Sequence, residues 1–73
     1  METKRSEDIE VGDVIEVTGP SSAVRLSEIH PYNGAEFVGG ESTSEWRTAK
    51  AAPDSRGYQV GITLIPGSRM HVQ

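Results

Sequence analysis

The sequence predicts an all-β domain, a small antiparallel barrel of five or six short strands. Three observations carry that prediction. Val14 to Thr18 alternates, setting Ile15 and Val17 on one face and Val14, Glu16 and Thr18 on the other. Tyr58 to Leu64 alternates again without a break, with Tyr58, Val60, Ile62 and Leu64 on a common face. Between these runs, turn-forming pairs punctuate the chain at short intervals, and no stretch sustains the apolar period of an amphipathic helix.

Size limits what such a domain can bury. The chain has 73 residues of which 34% are hydrophobic, below the ~45–50% usual for globular chains, a figure that also counts glycine, so the core is expected to be thin. Cysteine is absent, which removes disulfides and thiolate metal ligands and fits a cytoplasmic setting. No apolar run is long enough to span a bilayer, so no membrane association is expected. The net charge of −4 is unevenly spread: Met1 to Glu45 holds ten acids against three bases, and Trp46 to Gln73 holds four bases against Asp54. That polarity predicts either cross-strand charge pairing or a basic face for an acidic partner.

Taken in order, residues 1–8 are almost wholly polar and are expected to be a disordered tail, leaving 9–73 as the single domain. Gly12-Asp13 then makes a tight turn into the strand that carries Ile15 and Val17. The run Glu10-Val11-Gly12-Asp13-Val14-Ile15-Glu16-Val17-Thr18-Gly19 resembles the opening strand of SH3-like barrels such as KOW domains. That resemblance implies a five-stranded barrel that binds nucleic acid or peptide; an OB-like barrel is the alternative reading of the same turn.

Gly19 to Ser22 reads as a turn, followed by a strand over Ala23 to Tyr32. Val24 and Leu26 share one parity and Ile29 has the other, which predicts a bulge. A helix capped by Ser21 or Ser22 competes, but Asn33-Gly34 between Tyr32 and Phe37 is the signature of a two-residue hairpin and favours the strand. Gly39 to Ser44 is expected to be the most mobile internal loop. Ser42-x-x-Glu45 has the form of a capping box, so a short helix near 44–52 would make the fold α+β. A strand is preferred there, because a helix would have little beyond Trp46, Ala49 and Ala52 to bury. Pro53 to Gly57 is a turn, Pro66-Gly67 fits the centre of a type II turn, and Met70 and Val72 should face inward from a closing strand. The expected core is Val11, Ile15, Val17, Val24, Leu26, Phe37, Tyr58, Val60, Ile62 and Leu64.

The sequence contains few residues arranged for catalysis. Its serines lie in turns, outside any G-x-S-x-G elbow, and His30 and His71 lack neighbours at ligand spacing; no catalytic residue, metal ligand or cofactor is expected. Asp13 is expected to cap its own turn. Binding residues are easier to nominate. Tyr32, Trp46, Arg47, Lys50 and Arg56 combine aromatic surface with positive charge, as single-stranded nucleic acid wants and as peptide-binding barrels also use. The expected function is a non-enzymatic protein–protein interaction module, or a small subunit of a larger assembly or homo-oligomer. The alternative is a nucleic-acid-binding barrel that uses residues 46–56, and the acidity of the chain counts against it.

Overall fold

The computed structural model describes residues 2–73, and its regular structure is almost entirely strand. They are β1 (Glu2–Arg5), β2 (Val14–Glu16), β3 (Ala23–Pro31), β4 (Phe37–Val38), β5 (Glu41–Ser42), β6 (Arg47–Ala51), β7 (Gly61–Leu64) and β8 (Arg69–Val72). Two single 3-10 turns, Ser6–Asp8 and Pro20–Ser22, complete the regular structure. Six strands form one antiparallel sheet in the order β1-β8-β2-β3-β6-β7, and β4 and β5 pair separately as a hairpin. The all-β expectation holds.

Short links force the sheet to curl. Strand β7 is at one edge and β8 lies next to the other, yet Ile65 to Ser68 joins them through a turn closed by Ser68 N–H to the Ile65 carbonyl at 3.2 Å. Pro66 and Gly67 occupy its centre, with Gly67 at φ 91°, the type II geometry that the sequence predicts. No ladder joins the edge strands β1 and β7. Strand β3 serves both halves of the sheet, pairing with β2 through Ala23 to Arg25 and with β6 through Leu26 to Pro31. Its register shifts between Leu26 and Glu28, where the change of apolar parity predicts a bulge.

The core is smaller than expected and partly composed of other residues. Ile9, Ile15, Leu26, Ala49 and Leu64 are buried together, with Val24, Ile29, Ile62, Met70 and Val72 packed around them. Five expected core residues lie outside: Val11 is 60% exposed, Phe37 65% and Tyr58 70%, with Val17 and Val60 exposed to a lesser degree. Each is fixed in or beside a turn. Val11 sits in the loop closed by Asp13 N–H to the Glu10 carbonyl, and Tyr58 N–H donates to Asp54 Oδ1 at the end of the 54–58 turn. Strand β7 therefore starts at Gly61 rather than Tyr58, and Val60 is also exposed. Val17 follows β2 into the next turn, donating its N–H to the Ser22 carbonyl, and turns outward.

Three further expectations are corrected. The tail expected over residues 1–8 is ordered from Glu2: β1 pairs with β8 from Glu2↔Val72 to Arg5↔Arg69, while Met1 lies outside the described residues. An edge strand is held by its backbone ladder and needs few apolar side chains, so a polar composition did not preclude it. Lys4 Nζ donates to Asp13 Oδ2 at 3.0 Å, and Ser6 N–H donates to the Ser68 carbonyl at 2.9 Å. The hairpin expected at Asn33-Gly34 forms six residues later, around Gly39-Gly40, whose φ angles of 60° and 83° suit a type I′ turn. Gly34 instead accommodates Tyr32, because a Cβ there would stand 2.3 Å from the phenol oxygen. The loop expected to be mobile at Gly39 to Ser44 is thus largely hairpin.

The segment 44–52 contains strand β6, without the alternative helix. Ser42 Oγ accepts from Ser44 N–H, and Trp46 N–H donates to the Thr43 carbonyl, so the capping-box residues make a local turn. Ala49 and Ala51 then face inward, their small side chains admitting β6 between β3 and β7. Among the described residues no helix is long and apolar enough to cross a membrane.

Candidate functional site

The five nominated residues divide into two groups. Tyr32, Trp46 and Arg47 come together where β3 ends and β6 begins. Tyr32 N–H donates to the Trp46 carbonyl at 3.0 Å, and the two rings stand 5.4 Å apart between centroids, tilted by 57°. Lys50 lies three residues further along β6, opposite Glu28. Arg56 belongs to the 54–58 turn, its guanidinium carbon 5.4 Å from the Tyr58 ring centroid and Nη2 3.9 Å from Asp54 Oδ2.

Trp46 is buried and Arg47 half-buried. Trp46 is 9% exposed, leaving little indole face for a base to stack on. Arg47 turns beneath the N-terminal 3-10 turn, where Nη1 donates to the Ile9 carbonyl at 3.1 Å and Nη2 to the Ser6 carbonyl. A planar fork reaching two carbonyls is a structural clamp.

Four other cations are likewise engaged within the chain. Lys4 pairs with Asp13 and Arg5 with Asp8, each at 3.0 Å; Arg25 Nη1 donates to the Gly12 carbonyl, and Arg69 Nε to Thr3 Oγ1. Asp13 caps its turn as expected, accepting from Glu10 N–H at 2.8 Å. That amide first, and Lys4 second, hold its carboxyl below the usual aspartate range against the opposing effect of desolvation. Of the C-terminal bases only Lys50 stands opposite an acid on a neighbouring strand, Glu28; Arg47 and Arg69 donate to neutral oxygens of the N-terminal segment and Arg56 meets Asp54 within its own turn, so the cross-strand charge pairing that the charge pattern allowed is confined to that position among the described residues.

What the fold leaves open is a mainly apolar groove. Val11, Ile29, Pro31 and Trp46 line a shallow space of about 490 Å³, to which Glu10 and Glu45 contribute carboxylates and His30 and the clamped Arg47 contribute basic groups. The β4–β5 hairpin stands beside it as an arm, anchored at its base by Thr43 Oγ1 donating to the Ala35 carbonyl at 2.7 Å and Thr43 N–H to Glu36 at 3.0 Å. Phe37 projects from this arm, paired only with Ser42 across the hairpin. Ser44 borders both the groove and a second, more polar hollow that Phe37 helps to line.

Sequence reasoning assigned Val11 and Phe37 to the core and overlooked Glu10, Ile29 and Glu45. A signal existed for two of them. Val11 precedes Gly12-Asp13, and Phe37-Val38 precedes Gly39-Gly40; an apolar residue fixed at a turn has no sheet interior to enter. No known protein family matches this chain, nor does any curated protein or solved structure.

Proposed function

We propose that this chain is a non-enzymatic protein-interaction module, a small SH3-like half-barrel that docks a segment of another protein along the groove and arm. The observation that carries the reading is the open, mainly apolar groove of Val11, Ile29, Pro31 and Trp46, with Glu10 and Glu45 among its lining and Phe37 exposed on the neighbouring arm. A segment that places an apolar side chain in the groove and Lys or Arg beside the two carboxylates complements both features. The SH3-like part of the reading is supported by strand order: β2, β3, β6 and β7 form a meander, and β8 returns to pair with β2. A cytoplasmic setting is supported by the absence of cysteine.

Nucleic acid is disfavoured by the same geometry. Phosphate binding needs cations free to replace counterions, and here Arg47 is clamped on carbonyls while Glu10 and Glu45 line the open surface. The test is an amide-shift titration with a pool of apolar-basic peptides, run beside an apolar-acidic pool and short oligonucleotides. Shifts at Val11, Ile29, Phe37 and Glu45 with the basic pool are expected, and Phe37→Ala with Glu45→Gln should weaken them at least tenfold, as expected for the loss of an interface hot spot. Shifts with oligonucleotides instead, or with no peptide pool, would refute the reading.

A further inference from the structure

Asn33-Gly34 carries the chemistry of a hairpin turn but makes no hairpin in this fold. The β3–β6 ladder ends at Pro31↔Arg47 and the ladder of the arm begins at Phe37↔Ser42, so the pair lies between two sheets and belongs to neither. Both residues are exposed. Among the described residues no hydrogen bond holds the Asn33 side chain or the Gly34 N–H. The chain is anchored only on either side of them, where Tyr32 N–H donates to the Trp46 carbonyl and Thr43 donates to the carbonyls of Ala35 and Glu36.

An unbonded main-chain amide can reach the carboxamide of a preceding asparagine, and what ordinarily obstructs that approach is the side chain on the amide's own residue. Gly34 has none. Nor does the fold permit one, because a Cβ at position 34 would stand 2.3 Å from the Tyr32 phenol oxygen and 2.4 Å from the ring carbon that bears it. Tyr32 is fixed in turn, by its amide bond to Trp46 and by its ring against the indole. Packing around Trp46 therefore demands glycine after Asn33, and with it the least hindered approach for ring closure.

We propose that Asn33 is a modification site, converted without an enzyme into aspartate and isoaspartate at the root of the arm. The Gly34 nitrogen gives its proton to hydroxide or water and attacks Asn33 Cγ. The new N–Cγ bond closes a succinimide ring, the Cγ–Nδ2 bond breaks, and Nδ2 takes up a proton and leaves as ammonia. Water then opens the ring, its oxygen joining one carbonyl carbon as the bond from that carbon to nitrogen breaks and the nitrogen regains a proton. Opening at Cγ yields aspartate, and opening at the main-chain carbonyl carbon yields isoaspartate. No oxidant or cofactor takes part. Either product adds a negative charge to a chain of net charge −4. Isoaspartate also inserts a further main-chain atom between the anchored Tyr32 and Ala35, which the arm must shift to absorb. The inference stands on this loop alone and is independent of any partner for the arm.

The test follows the intact mass of the full chain, folded and in guanidinium chloride, at mildly acidic and mildly alkaline pH. Asn33 is the chain's single asparagine, so peptide mapping assigns the change from amide to acid to one position. The folded chain is expected to convert within about threefold of the unfolded rate, because no local opening has to precede the reaction, and several times faster for each unit rise in pH, because the amide must lose its proton. Mapping should yield both an aspartyl and an isoaspartyl peptide. Asn33→Gln, at an exposed position, should abolish the change there, since its longer side chain would have to close a larger ring. The isoaspartyl chain, separated from its parent, should show amide shifts confined to Tyr32–Thr43, with Ile15 and Leu26 unmoved. Conversion more than tenfold slower in the folded chain would show that the loop shields Asn33 and overturn the proposal. Aspartate as the sole product would do the same by replacing the succinimide with direct hydrolysis, as would a mass change that persists in Asn33→Gln.

Discussion

Replacing Arg47 by methionine separates a structural role for this cation from a ligand-binding one. Methionine preserves much of the apolar stem and removes the guanidinium, which donates to the carbonyls of Ser6 and Ile9. Hydrogen bonds from charged donors contribute ~1.5–3 kcal/mol each, and both are discounted here because Arg47 is half-buried and water can replace it. A net loss of about 2–3 kcal/mol results. Ser6 and Ile9 are fully buried beside the clamp, so releasing the carbonyls also loosens the burial of Ile9.

For a domain this small, with a stability of ~0.05–0.15 kcal/mol per residue, such a loss is a large share of the whole. It corresponds to a fall in Tm of ~10–20 °C. Thermal and urea unfolding followed by the single tryptophan, Trp46, would measure it, and the urea m-value should be unchanged because the folded sheet is the same. Arg47→Lys should recover little, since an ammonium does not span two carbonyls with a planar fork. A Tm for Arg47→Met within about 2 °C of the parent would refute the clamp and return Arg47 to the set of residues available for a ligand.

Three further outcomes follow from the same geometry. Leu26→Ala, at a fully buried site, should lose ~2–5 kcal/mol in urea unfolding, and Ile62→Ala, half-buried on the edge strand, less than half as much; equal losses would show that β7 is packed more deeply than its burial indicates. Gly67→Ala should lose ~1–2 kcal/mol from backbone strain alone, because φ is 91° and a Cβ there meets no atom within 4 Å; an unchanged Tm would contradict the type II turn. Asp13 has a folded pKa below its unfolded value, so its contribution is present above the unfolded value of ~3.9 and disappears as pH falls through the lower folded value; Asp13→Asn should flatten the acid limb of the stability profile, and an unaltered limb would assign it to other carboxylates.

Alternation made the sheet legible, and turn chemistry made parts of it misleading. Ile15, Leu26 and Leu64 are buried at the parity the sequence predicts, and Pro66-Gly67 turns where it should. Parity does not reveal where a strand ends: Tyr58 continues the pattern of β7, but Asp54 accepts the Arg56 and Tyr58 amides and keeps that residue in the turn. Composition likewise concealed β1, whose ladder to β8 depends on backbone groups and on a partner strand more than sixty residues away. Asn33-Gly34 and Gly39-Gly40 both carry hairpin chemistry, and choosing between them required knowing that β3 is already paired with β6. The candidate site was half visible: Tyr32 and Trp46 do meet, whereas Arg47 was nominated for its charge and is occupied by carbonyls that only the fold brings near it.

The misplaced core residues are also the best guide to the proposed docking surface. An apolar side chain on a flexible loop loses conformational freedom when it binds, which weakens association. Val11 is held beforehand: Asp13 N–H and the Asp13 carboxylate close its loop onto Glu10, and Gly12 N–H donates to the Leu26 carbonyl at 2.9 Å. Phe37 is held by a hairpin with a two-glycine turn and by Thr43 at its base. Both side chains are therefore exposed on backbone that is already ordered, where burial against a partner adds apolar contact with little further ordering of the main chain. Turns that prevented these residues from entering a thin core are what suit them to the proposed interface.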